Sequence, residues 1–263
     1  MFSTRHASQW AVAIAILATA AGSISGCGKK DTPDAIKASP PPENAATKTV
    51  ATGSKRYDVQ AAGKTSVMID APLEKFQGNT PKLSGVLDVN AGDLKASSGE
   101  VLADLDAFTT HTFTDKDKND SQTEHAKNWF EIGEKVEQKM RDDYRMARFT
   151  IEKIDESSAK SVAEAPEKDG IRTVTLKVSG TLRVHGRSAK KTAVIDVSFK
   201  GPPEAPTEIT FKTKDPLVAS LAEHDVKPRD TTGKFLAGAL EAVGKKIDDK
   251  AQISVEGSAK PKG

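Results

Sequence analysis

Residues Ile171 to Lys200, IRTVTLKVSGTLRVHGRSAKKTAVIDVSFK, read as two long strands folded back on each other at His185–Lys190. In the first arm Val174, Leu176 and Val178 alternate with Thr173, Thr175, Lys177 and Ser179. In the second, Ile195, Val197 and Phe199 alternate with Val194, Asp196, Ser198 and Lys200. A period of two gives each arm one apolar and one polar face, the pattern of an antiparallel sheet wet on one side. Gly186 supplies a residue that takes positive φ without steric cost, as a tight reversal needs. Arms longer than the usual five or six residues favour a curled or closed sheet over a flat one.

The flanking sequence repeats the pattern. Tyr57 and Val59 start a strand, and Ser66 to Asp70 continues it after Gly63. Pro72 to Pro81 reads as a loop or strand end, and Leu83–Asn90 pairs with Glu100–Asp106, where Val101, Ala103 and Leu105 alternate with polar neighbours. Phe108–Glu137 interrupts the series with a polar connection running into a helical segment, Thr123–Ile132, capped by Ser121 or Thr123 and carrying Trp129 and Phe130. Connections this long inside a compact β domain are uncommon and often act as a lid or plug. Beyond it come a strand at Arg148–Asp155, a charged surface hairpin loop at Ser157–Gly170 and a strand at Glu208–Thr213. Leu217–Lys227 fits strand or helix, Lys234–Lys246 a short helix, and Ala251–Gly257 a last strand. The sum is an all-β chain: an antiparallel, lipocalin-like β-barrel of about eight strands with one or two short helices, and about 200 residues suit one such unit.

The chemistry-bearing residues point away from catalysis. Asp115 to Asp120 alternates acids with lysines, but a calcium loop needs glycine and a bidentate glutamate where Asp120 and Ala126 stand. His111, His125, His185 and His224 form no metal-ligand spacing, so metal-assisted catalysis would rest only on the scattered His111, His125 and His224, and no metal site is expected. No nucleophile elbow is present. Asp142-Asp143 and Asp248-Asp249 sit among other charges and read as solvated faces. A net charge of +2 with sparse aromatics argues against nucleic acid as a partner. Basic residues cluster at Arg141, Arg145 and Arg148 and again at Arg183, His185, Arg187, Lys190 and Lys191. They would either steer an anionic headgroup or form a soluble rim.

Met1–Gly26 has a short polar start, an apolar run from Trp10 to Gly22 and small residues before Cys27, the pattern of a secretory signal. Ile24-Ser25-Gly26-Cys27 resembles the bacterial lipobox, in which cleavage precedes a cysteine whose sulfur carries a diacylglycerol. Cys27 is the only cysteine, so lipidation there leaves no thiol for an intramolecular disulfide. The expectation is a membrane partner reached through an N-terminal anchor of acyl chains (palmitate among them), each buried CH₂ contributing about 0.8 kcal/mol. The resemblance, with Gly28 rather than aspartate after Cys27, implies the bacterial outer membrane, facing the periplasm or displayed at the surface. Residues 27–54, with Pro33 and Pro40-Pro41-Pro42, read as a tether spanning on the order of 30 Å. The folded domain is expected over Lys55–Ala259, with residues 260–263 as a tail.

Val178 to Gly186, VSGTLRVHG, resembles the signature of the YceI-like family, in which a strand with glycine and leucine ends in a His-Gly turn. Leu83 to Val89, His125 to Phe130 and Ala147 to Ile151 are similar to further family segments in the same order, whereas Arg183 and the long ending after Lys227 depart from it. The resemblance implies a lipocalin-shaped barrel around a long polyisoprenoid, of the quinone or prenyl diphosphate class, with no other cofactor. Eight amphipathic strands closed on themselves leave room for side chains or one slender ligand. The expected inward residues are Val101, Leu105, Phe149, Ile151, Leu176, Val178, Ile195, Val197, Phe199, Ile209 and Phe211, with Trp129 and Phe130 at one end. They would line an apolar ligand or, alternatively, fill the core of a structural or partner-binding envelope module. The reading also admits a homodimer.

Overall fold

The computed structural model describes residues 51–70, 75–228 and 249–263. The signal, most of the tether, Cys27 and the helix expected at Lys234–Lys246 lie outside the described residues. Strands β1 (Lys55–Val59), β2 (Ala62–Ile69), β3 (Phe76–Val89), β4 (Ser98–Asp104) and β5 (Thr109–Thr110) precede helices α1 (Lys116–Trp129) and α2 (Gln138–Tyr144). They are followed by β6 (Met146–Ser157), β7 (Glu167–Lys168), β8 (Ile171–Val184), β9 (Arg187–Lys200), β10 (Glu208–Thr213), β11 (Leu217–Ser220) and β12 (Lys250–Pro261).

Among the described residues every pairing is antiparallel, and the ladder closes because β12 pairs with β2 as well as with β10. Four staves are interrupted strands. β1 and β2 both lie between β12 and β3; β4 and β5 both pair with β3; β6 and β7 both pair with β8; β10 and β11 both pair with β12. Counted this way, the described residues form an up-and-down meander of eight staves, closed without a free edge among them.

The β8–β9 hairpin is the longest uninterrupted pairing, running from Ile171↔Lys200 to Val184↔Arg187. Its reversal is tighter than the sequence suggests: only His185 and Gly186 lie in the turn, with φ of 51° and 70°. Positive φ at both central residues is the I′ geometry that matches strand twist. Along β8 the buried positions are Val174, Leu176, Val178, Gly180, Leu182 and Val184, the period-two set expected of the arm.

Three local expectations are sharpened or corrected. Phe76–Pro81 is strand, and Pro81 is tolerated because it is exposed at the register shift between Ala62 and Thr65 of β2, where no ladder bond is lost. The main helix begins at Lys116 rather than Thr123, since the Asp115 side chain accepts from the Asp117 and Lys118 amides and caps it. Thr123 instead ties the helix to the barrel, its hydroxyl accepting from the Thr110 amide at 2.9 Å. The segment after Ser157 is the largely exposed loop expected, closing in the β7–β8 hairpin, but Val162 and Ala165 within it are buried. The amide of Val162 donates to Ala91 O and that of Leu94 to Lys160 O, both at 2.9 Å, sealing the barrel end to which Val89 and Phe199 point. Tyr57 is buried at the same end and donates to Pro206 O at 3.1 Å, and burial raises its phenol pKa.

Candidate functional site

The other end of the barrel is built around aromatic rings. Phe108 stacks on Phe76 with centroids 6.2 Å apart and meets Phe130 edge-on at 6.1 Å. Trp129 and Phe130 stand at the C-terminal end of α1, so the helix expected as a lid or plug brings both aromatics to the barrel interior. Between the two ends lies a cavity of about 210 Å³. That exceeds the roughly 150 Å³ apolar cavity known to stay dry and take a benzene-sized guest.

Its wall contains every inward position expected from the sequence: Val101, Leu105, Trp129, Phe130, Phe149, Ile151, Leu176, Val178, Ile195, Val197, Phe199, Ile209 and Phe211. The sequence reading missed Thr65, Val67, Phe76, Leu182, His224, Ile253 and Val255, among others. Most of these carry the same period-two signal in strands that were recognised, and His224 carried none. Among the described residues, Arg148 is the one wall residue with a formal charge, and its Nη1 lies 3.6 Å from Glu100 Oε2.

The basic clusters do not form an open cationic mouth. Arg145 makes a two-pronged contact with Asp104 at 3.0 and 2.7 Å, Arg187 lies 3.5 Å from Asp225, and Lys190 and Lys191 pair with Glu152 and Glu223. His185, 4% exposed, packs against Tyr144 at 4.3 Å between centroids. Its Nδ1 donates to His224 O at 3.1 Å and its Nε2 faces Glu131 Oε2 at 2.5 Å. One imidazole thus ties the end of α1 to the turn after β11. His111 Nδ1 meets the Asn79 amide at an exposed position, and among the described residues no three or more His, Cys, Asp or Glu side chains converge as metal ligands.

The guanidinium of Arg145 holds the Asp104 carboxyl below its ordinary range, outweighing the opposing effect of burial. A depressed folded value contributes stability above the unfolded pKa of about 3.9 and loses it as pH falls through the folded value. Asp104→Asn is therefore expected to cost about 2 kcal/mol at pH 7, with the gap to the parent narrowing below about pH 4. Urea denaturation at pH 7 and pH 3 checks this, and a gap unchanged between the two would refute it.

A closed lipocalin-like barrel of antiparallel strands, with an apolar interior, defines the class. No protein-family model matches the chain, and no curated protein does. Among solved structures, the fold is shared with a polyisoprenoid binding domain from Saccharophagus degradans implicated in plant cell wall breakdown. That match has 15% identity, covers 78% of this chain and 98% of that one, and gives a TM-score of 0.50. Burkholderia cenocepacia BcnA matches at 19% identity over 76% of this chain and 99% of its own, with a TM-score of 0.49. A mutant CJ YceI protein matches at 16% identity over 71% and 85%, with a TM-score of 0.40. The barrel implied by the YceI-like resemblance is the fold observed.

Proposed function

We propose that the chain is a non-enzymatic, YceI-like lipoprotein of the bacterial envelope that holds or carries one long, apolar, isoprenoid-like molecule inside its barrel. The observation that carries this reading is the cavity of about 210 Å³ with an almost wholly apolar wall. A module whose side chains filled its own barrel would have no such space, which weighs against the structural alternative. Apolar surface buried on both partners favours such a complex by about 25 cal/mol per Å². The S. degradans domain of the same fold is described as polyisoprenoid binding, which supports the ligand class.

Native mass spectrometry of protein extracted in mild detergent tests this, with one isoprenoid-like molecule per chain expected. No retained or added isoprenoid at a stoichiometry near one would overturn it. The anchor belongs to the same proposal: Cys27 carries the lipid that holds the protein at the outer membrane, facing the periplasm or displayed at the surface. Cys27→Ser is expected to move most of the protein from the membrane pellet to the soluble fraction or to leave an unlipidated precursor. Unchanged partitioning, with no mass shift from a lost diacylglycerol, would defeat it.

A further inference from the structure

Three polar atoms on the apolar wall are buried and without a hydrogen-bond partner among the described residues: Thr65 Oγ1, Trp129 Nε1 and His224 Nε2. Buried polar groups are nearly always paired, so each such atom calls for an explanation. Thr65 selects little, because a hydroxyl rotates to serve as donor or acceptor. The other two are specific. An indole N–H only donates. His224 is 2% exposed, and its Nδ1 lies 3.0 Å from Arg187 O, a carbonyl that can only accept. Burial pushes the imidazolium pKa down, against the Arg187 and Val184 carbonyls and Glu223, which favour the charged ring; in the neutral ring the proton sits on Nδ1, facing the Arg187 carbonyl. Nε2, which has no hydrogen-bond partner among the described residues, is then the ring's acceptor. Both residues line the cavity, and their backbones meet at one end of the barrel, where His185 links Glu131, two residues past Trp129, to the backbone of His224.

Resting on the lipid-binding reading above, we infer that the occupant carries an uncharged hydroxyl at its polar end, donating to His224 Nε2 and accepting from Trp129 Nε1. A quinone carbonyl can accept from the indole but offers nothing to the lone pair. A diphosphate finds one wall cation among the described residues, Arg148, already beside Glu100. A hydroxyl meets both demands, whether on the end of a prenol chain or on the ring of a reduced quinone.

Calorimetry on the full chain, freed of lipid in detergent, tests this with farnesol, farnesyl methyl ether and farnesyl diphosphate, and with decylubiquinol against decylubiquinone. Farnesol is expected to bind about tenfold tighter than its ether, because only the alcohol can donate to His224. His224→Phe should erase that preference while leaving the ether's affinity in place. Trp129→Phe keeps every backbone contact of α1 and should weaken alcohol and ether alike, preserving their ratio. A quinol preferred over its quinone with farnesol weak assigns the hydroxyl to a ring, and strong farnesol binding assigns it to a chain end. Ether or diphosphate binding as tightly as the alcohol, or a preference that survives His224→Phe, overturns the assignment. If none of the probes binds, the lipid reading itself falls and the hydroxyl with it.

Discussion

Ile195→Trp is expected to abolish lipid retention while leaving the barrel folded. Ile195 lies on β9 opposite Leu176 and Thr213, faces the cavity and is only half-buried. An indole there extends into the cavity and takes the space of the ligand, so affinity should fall at least about a hundredfold, roughly 2.7 kcal/mol. The change in stability should stay below about 1 kcal/mol, because the added atoms enter the cavity that Ile195 lines. Val174 supplies the contrast. It also points inward, from β8, but it is 1% exposed and absent from the cavity wall. Val174→Trp forces extra atoms into close-packed surroundings and should cost about 1–3 kcal/mol or more. Paired measurements of lipid content and urea midpoints check both. Equal destabilisation at the two positions would mean the interior is solid and the ligand reading wrong.

That contrast marks what the sequence could and could not disclose. Val174 and Ile195 carry the same signal, an apolar residue in a period-two run, and nothing local says which abuts space. Periodicity reports the face of a strand, while cavity volume depends on how all eight staves and both end seals meet. The staves were legible because their alternation is long, as in β8 and β9. The seals were not: Val162 and Ala165 sit in a run of Ser, Lys and Glu whose polarity masks two buried side chains. The early start of α1 was hidden because Asp115 to Asp120 resembles a solvated loop until Asp115 is seen to cap it. His224 belongs to the same kind of failure. Its role comes from the Arg187 carbonyl it meets across the fold, a partner 37 positions away.

Gly85→Ala is expected to be the most damaging single methyl that can be added to the barrel. Gly85 sits inside β3 opposite Val101, in a stretch the sequence marks simply as strand. Its φ is 132°, a conformation that L side chains rarely adopt, and a Cβ there would lie 2.1 Å from the Glu100 carbonyl oxygen and 3.1 Å from Val101 Cα. Both obstacles are backbone of the neighbouring β4, so no rotamer change relieves them. β3 runs for 14 residues between two interrupted staves, and so long a strand in a closed barrel has to coil. Gly85 absorbs that coiling beside β4, the role glycine often plays at a barrel corner. Relief requires β3 and β4 to separate, which breaks ladder hydrogen bonds on both sides of the site. The cost should be about 3 kcal/mol or more, combining positive-φ strain with the steric shift. For a domain near 200 residues, this corresponds to a fall in Tm of roughly 6–12 °C. Thermal and urea unfolding measure it, with the m-value unchanged if the native barrel survives. A loss below about 1 kcal/mol would show that β3 can pass Gly85 in an ordinary strand conformation, and that the curvature is carried elsewhere.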